Sequence, residues 1–131
     1  MPVLSKEKLT KLLDDTLKLI DGDPKTLPKI NESSGENCCI EINSYGYYYV
    51  CYERGNEVSR MLPFDEEHLL FIFFKDITSY MSYRRESKNT IPEKDRRRLQ
   101  FEKQIELMTK IKPYFGDKLR QELDWILRNN P

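Results

Sequence analysis

Leu9, Leu12, Leu13, Leu17 and Ile20 recur at three- and four-residue spacing, so the chain opens with a helix carrying one apolar stripe. Ser5 stands where a cap belongs, and the pattern predicts a helix over residues 5–20. Asp21-Gly22-Asp23-Pro24 ends it, with the glycine expected to take the left-handed conformation after the last turn. Residues 21–37 hold two prolines and two glycines and read as a loop. The rhythm then changes to alternation. Residues 38–42 predict a strand with Cys38, Ile40 and Ile42 on one face. A turn over 43–46, a strand over 47–53, a turn over 54–56 and a strand over 57–62 follow. Gly55 supplies positive φ at the second turn. Three short strands on short turns make an antiparallel meander, whose register the turn lengths leave open.

Asp65, Glu66 and Glu67 suit the start of a helix, as a cap and as charges complementing its dipole. Leu69 to Phe74 is apolar almost all round, which marks a helix buried on several sides and central in the fold. The positions 69, 70, 73, 77, 80 and 81 continue it to about residue 87. Thr90-Ile91-Pro92-Glu93 fits a capping box for a third helix reaching about residue 112. Phe101, Ile105, Met108 and the stem of Lys112 form its stripe, with Leu107 and Ile111 beside it. Pro113 and Gly116 read as a break before a last helix over 117–128, burying Leu119, Leu123, Ile126 and Leu127. The expected fold is α+β, in the order α-βββ-ααα: a three-stranded antiparallel meander packed against helices. At 131 residues it is expected to be one domain.

Composition narrows the function classes. Hydrophobic residues are 38% and charged residues 34%, a soluble balance, and no apolar run reaches the ~20 residues of a membrane span. The first residues lack the basic start and apolar core of a signal peptide, so the expected location is cytoplasmic. Cys38, Cys39 and Cys51 are odd in number and lack Cys-x-x-Cys spacing. They read as buried free thiols rather than zinc ligands or a disulfide framework. Net charge is zero, but residues 1–75 carry 9 basic and 13 acidic groups (net −4) and residues 76–131 carry 13 and 9 (net +4). Overall neutrality argues against a simple electrostatic nucleic-acid binder. No metal or cofactor motif is present, and the five glycines do not form a phosphate-binding loop.

Five of the eight tyrosines fall within residues 45–52. Alternation points Tyr47 and Tyr49 one way and Tyr48 and Tyr52 the other, more rings than one core face requires. Tyrosine favours protein interfaces, so this hairpin is a candidate contact surface. The acidic residues Asp14, Asp15, Asp21, Asp23, Glu32 and Glu36, with Asp65, Glu66 and Glu67, offer a negative patch to a basic partner. His68 is the only histidine and has no nucleophile motif beside it, so it reads as a helix-end residue and not a catalyst. Arg84, Arg85, Lys88, Lys94, Arg96, Arg97 and Arg98 form a basic cluster, interrupted by Glu86, Glu93 and Asp95. A solvated helix face is the default reading, and a nucleic-acid-binding regulator using residues 84–98 is the alternative. Asp76 follows the most apolar stretch, and a core carboxylate requires a partner, which Arg97 or Arg98 supplies.

Taken together, these pieces resemble immunity protein family 63 of bacterial polymorphic toxin systems. The resemblance is carried by Tyr52-Glu53-Arg54-Gly55, by Leu69 to Thr78, by Asp95-Arg96-Arg97-Arg98-Leu99-Gln100-Phe101 with Gln104-Ile105-Glu106-Leu107, and by Ile126 to Pro131. It covers about residues 45–131. It implies an antitoxin that binds a cognate toxin domain, a nuclease by expectation, and blocks it by occlusion without being an enzyme. It implies that Asp76, Asp95, Arg97 and Arg98 belong to the scaffold, because a contact surface must vary among relatives that meet different toxins. The expected contact surface is Tyr45, Tyr48, Tyr52 and Arg54, with Asp21, Asp23, Glu66 and Glu67. A homodimer is compatible with the sequence, and no membrane partner is expected.

Overall fold

A computed structural model of the chain describes residues 4–32, 38–63, 65–86 and 93–129, with the backbone alone for 84–86 and 93–95. The order is α1 (Lys6–Lys18), a 3₁₀ turn (Pro24–Thr26), β1 (Cys38–Asn43), β2 (Gly46–Glu53), β3 (Asn56–Met61), α2 (Glu66–Glu86), α3 (Glu93–Ile111) and α4 (Pro113–Asn129). The expected α-βββ-ααα arrangement holds. The chain forms two compact units, Met1–Phe73 and Phe74–Pro131, and α2 contributes residues to both. The expected Thr90 capping box lies outside the described residues.

In the first unit, Ser5 caps α1 by accepting the Lys8 N–H at 3.2 Å. Leu9, Leu13, Leu17 and Ile20 are buried, as the stripe requires. The helix stop differs from expectation. Asp21, not Gly22, takes the left-handed conformation, with φ 52°. The Gly22 N–H then donates back to the Leu17 carbonyl at 3.1 Å, closing a Schellman-type turn. The glycine leaves room for the buried Leu17 side chain, which a Cβ at this position would displace.

The sheet order is β1-β2-β3, all antiparallel. Both turns have two residues, because Asn43 pairs with Gly46 and Glu53 with Asn56. Arg54 (φ 52°) and Gly55 (φ 80°) are both left-handed, the geometry of a type I′ hairpin turn. That register places Cys38 opposite Cys51, and the two are joined by a disulfide with S–S 2.06 Å. The expectation of free thiols is corrected for this pair. Its partners are 13 residues apart and carry no spacing motif, so only strand register brings them together. Cys39 is a buried free thiol. Tyr47 and Tyr49 are buried with Ile40, and the Tyr49 ring meets Phe73 of α2 edge-on at 6.2 Å between centroids. This is the face that the sheet turns toward the helix.

At the start of α2 the Asp65 carboxylate accepts the His68 N–H at 2.8 Å, the cap expected from sequence. Leu69, Phe71, Phe73 and Phe74 are buried, followed by Thr78 and Ser82. Tyr80, expected in the core, is 56% exposed. A helix apolar all round in its first turns does not disclose which later residues face inward. The buried side carries small polar residues instead. In the second unit the buried Gln104 amide donates to the Lys75 carbonyl at 2.9 Å and to Thr78 Oγ1 at 3.3 Å, tying α3 to α2.

The last helix also departs from expectation. α4 begins at Pro113, with only Lys112 between it and the end of α3 at Ile111. Proline is tolerated in a first turn, where its missing N–H has no intrahelical acceptor. Phe115 and Gly116, expected outside the helix, are buried within it. A Cβ on Gly116 would lie 1.8 Å from Thr109 Oγ1, so this glycine marks a close approach of α4 to α3 rather than a break.

Candidate partner-binding surface

The face of the sheet opposite Tyr47 and Tyr49 is built by register. Cys39 stands beside Val50, Glu41 beside Tyr48, and Val50 beside Arg60. Tyr52 pairs with Glu57, while Cys51 pairs with Ser59, which leaves Val58 as one extra residue on β3. This bulge has a chemical consequence. In a regular strand, residues three apart point to opposite faces. Here the extra residue returns Glu57 and Arg60 to the same face, and they pair.

Arg60 is the hub. Its guanidinium donates to Glu57 Oε1 at 2.7 and 3.2 Å and to Glu41 Oε2 at 2.9 Å. It also stacks over the Tyr48 ring, 5.4 Å from the centroid, a cation–π contact. Tyr52 donates its hydroxyl to the other Glu41 oxygen at 3.3 Å. The electrostatics follow the contacts. The hydrogen bond from Arg60 holds the Glu57 carboxyl below the usual carboxylate range, and Glu57 and Glu41 raise Arg60 further. Burial, then the Glu41 charge, pushes the Tyr52 phenol up. Burial also raises the Cys39 thiol, with Glu41 adding to it. Cys39 and Val50 at the centre of the face are buried, while Tyr48, Tyr52 and Glu41 are half-buried around them.

The expected contact residues are therefore not one patch. Tyr48 and Tyr52 share the Arg60 platform. Tyr45 is 88% exposed at the first turn and Arg54 is exposed at the second. The eight residues of β2 separate the two turns, roughly 27 Å of extended strand. Glu66 lies beside the other face, where its carboxylate accepts the Tyr47 hydroxyl at 3.0 Å. Glu67 is exposed. Asp23 caps the 3₁₀ turn, accepting the Lys25 N–H at 2.9 Å, and Asp21 is the left-handed residue after α1. Asp14 and Asp15 face Lys18 and Lys11 at 3.1 Å each, so part of the expected negative patch is neutralised by its own helix. Sequence reasoning missed Glu41, Glu57 and Arg60. Glu41 was legible by alternation, but Glu57 and Arg60 share a face only through the bulge.

Asp76 is exposed on α2, not a core carboxylate as its neighbours suggested. Arg97 is half-buried and Arg98 exposed, while the side chains of Asp95, Arg84, Arg85 and Lys94 lie outside the described set. His68 is half-buried in the first turn of α2. Among the described residues, no group of histidine, cysteine, aspartate and glutamate is arranged to hold a metal, and no helix is long and apolar enough to cross a membrane.

Comparison with known proteins supplies what geometry alone does not. No curated protein and no solved structure matches the chain. The family model of immunity protein 63 matches residues 43–125, from the β1–β2 turn through most of α4. That span holds Tyr48, Tyr52, Glu57 and Arg60 of the platform, though not Glu41, together with both hairpin turns and the α2–α3–α4 scaffold. The chain belongs to the immunity protein 63 family.

Proposed function

We propose that this immunity protein binds the toxin domain made by its own cell or kin and blocks it by occlusion, with no catalytic step of its own. The toxin is a nuclease, and inhibition takes place in the cytoplasm. The observation that carries the reading is the Tyr48–Arg60–Tyr52 platform. Two half-exposed rings are already held, one by stacking and one by a hydrogen bond, so little side-chain freedom is lost on binding. Tyr45 and Arg54 extend it at the turns, and Glu67, Asp21 and Asp23 add negative charge. The first unit, residues 1–73, carries 8 basic and 13 acidic groups, a net of −5, which suits a basic nucleic-acid-cleaving partner. On the same reading Asp76, Asp95, Arg97 and Arg98 are not toxin contacts.

The test uses the toxin domain encoded beside the gene. An equimolar amount of this chain should abolish its degradation of nucleic acid. Replacing Tyr48 and Tyr52 together by alanine should weaken binding by at least about 30-fold, as for central interface aromatics. Unchanged affinity in that variant would remove the platform from the interface. Absence of any binding by the native chain would remove the antitoxin reading itself.

A further inference from the structure

The two edges of the sheet are treated differently. The outer side of β1 is covered by the segment before it. Asn31 N–H donates to the Ile40 carbonyl at 2.7 Å, Ile40 N–H donates to the Lys29 carbonyl at 3.0 Å, and Asn31 Oδ1 accepts the Ile42 N–H at 2.8 Å. Among the described residues, nothing comparable reaches the outer side of β3. All six residues of β3 are exposed. An edge strand leaves alternate N–H and C=O groups facing outward, a ready template for another strand.

Edges of this kind are commonly guarded by free charge, especially lysine. Here the guard is withdrawn. The one cation on β3, Arg60, is held against the sheet face by Glu57 and Glu41. What remains along the edge is the uncharged Asn56 and Ser59 and three exposed apolar side chains: Val58 is 59% exposed, Met61 45% and Leu62 63%. The Leu62 side chain reaches the first turn, where a Cβ on Gly46 would lie 3.8 Å from it, and Tyr45 projects from that same turn.

We infer that β3 is where the toxin is gripped: an extended segment of the toxin, carrying apolar side chains to meet Val58, Met61 and Leu62, adds to the sheet as a fourth strand. This rests on the antitoxin reading and names the mode of contact. A second copy of this chain is the lesser fit. One six-residue edge paired with itself buries far less than the roughly 1,200 Å² a stable interface requires. A toxin lying along the edge extends onto the adjoining Tyr48–Arg60–Tyr52 face and the Tyr45 corner, which supplies the missing area.

The experiment is hydrogen exchange on the chain alone and with the toxin domain encoded beside its gene, together with the Val58→Lys/Met61→Lys variant. Both side chains are exposed, so the variant should melt as the native chain does. The outward-facing backbone amides among residues 57–62 should exchange at least about tenfold more slowly in the complex, because strand addition hydrogen-bonds them, while the amides already bonded to β2 serve as the internal reference. The lysine variant should bind at least about 30-fold more weakly. If the native chain binds the toxin while these amides are unaffected, or the variant binds as tightly, strand addition is wrong and the antitoxin reading stands. If the native chain does not bind, both fall. A stable dimer of the chain alone, with the same amides already protected, would assign the edge to self-association and overturn the inference.

Discussion

Tyr47 and Glu66 are joined by a hydrogen bond of 3.0 Å, and the same phenol oxygen accepts the Leu4 N–H at 2.7 Å. One buried ring thus ties β2 to the segment before α1 and to the first turn of α2. Tyr47→Phe keeps the ring and removes both bonds. It should cost about 1–3 kcal/mol in urea unfolding. Tyr48→Phe should cost almost nothing, because the ring stack with Arg60 survives. The phenol also fixes a pH dependence. Burial first, and then Glu66, raises the Tyr47 pKa above its ordinary 10.0. The folded state therefore holds this proton more tightly than the unfolded chain. That stability is present below pH 10 and lost as pH rises through the folded value. Tyr47→Phe should show a shallower alkaline loss than the native chain.

Gly116→Ala should destabilise the chain by about 1–3 kcal/mol, the usual cost of overpacking. The new methyl would meet not only Thr109 Oγ1 but also the Thr109 Cα at 3.2 Å, which belongs to the backbone. Thr109→Ala should relieve part of this loss and not all of it. Equal stability of Gly116→Ala and the native chain in thermal melts would refute the close approach.

Acid should release two ion pairs. Glu57 is lowered by Arg60, and Glu102 by Arg120, which meets it through both guanidinium nitrogens at 3.0 Å. A depressed carboxyl contributes above its unfolded pKa of 4.5 and loses that contribution as pH falls through the lower folded value. Melting curves of Glu57→Gln and Glu102→Gln should lie slightly below the native curve at pH 7 and converge with it in acid. The gap should be small, since both pairs face solvent.

The Cys38–Cys51 bridge should make stability depend on redox state. Cys38→Ser or reduction should lower unfolding stability by about 2–3 kcal/mol, the scale for closing a short loop. Cys39→Ser should not respond to reductant differently from the native chain. Reducing compartments hold such pairs as dithiols, so the cytoplasmic reading expects the free-thiol form in living cells. Thiol trapping before lysis distinguishes the two.

Asp76→Ala should cost no more than about 1 kcal/mol, because an exposed carboxylate is screened whether or not Arg97 or Arg98 faces it. A loss of several kcal/mol on thermal or urea unfolding would instead require a desolvated pair.

Much of the fold was legible because it is local. The α1 stripe, the Asp65 cap and the three strands each follow from residues within a few positions of one another. The two departures at helix ends were not, and both have one cause. Gly22 and Gly116 were read as conformational signals, yet Leu17 and Thr109 show them to be spatial ones. A sequence states that a side chain is missing, but not what fills the space.

The tyrosine strand divides along the same line. The chain alone determined that Tyr47 goes with Tyr49 and Tyr48 with Tyr52, since alternation is a property of extended backbone. It did not determine which pair is inside. That required the pairing register and the edge-on contact of Tyr49 with Phe73, between residues far apart in the chain. The same non-local registration joined Cys38 to Cys51 and, through one unpaired residue at Val58, set Arg60 beside Glu57, Glu41 and Tyr48. Periodicity assigns a residue to a face; only the packing of the folded chain decides what that face meets.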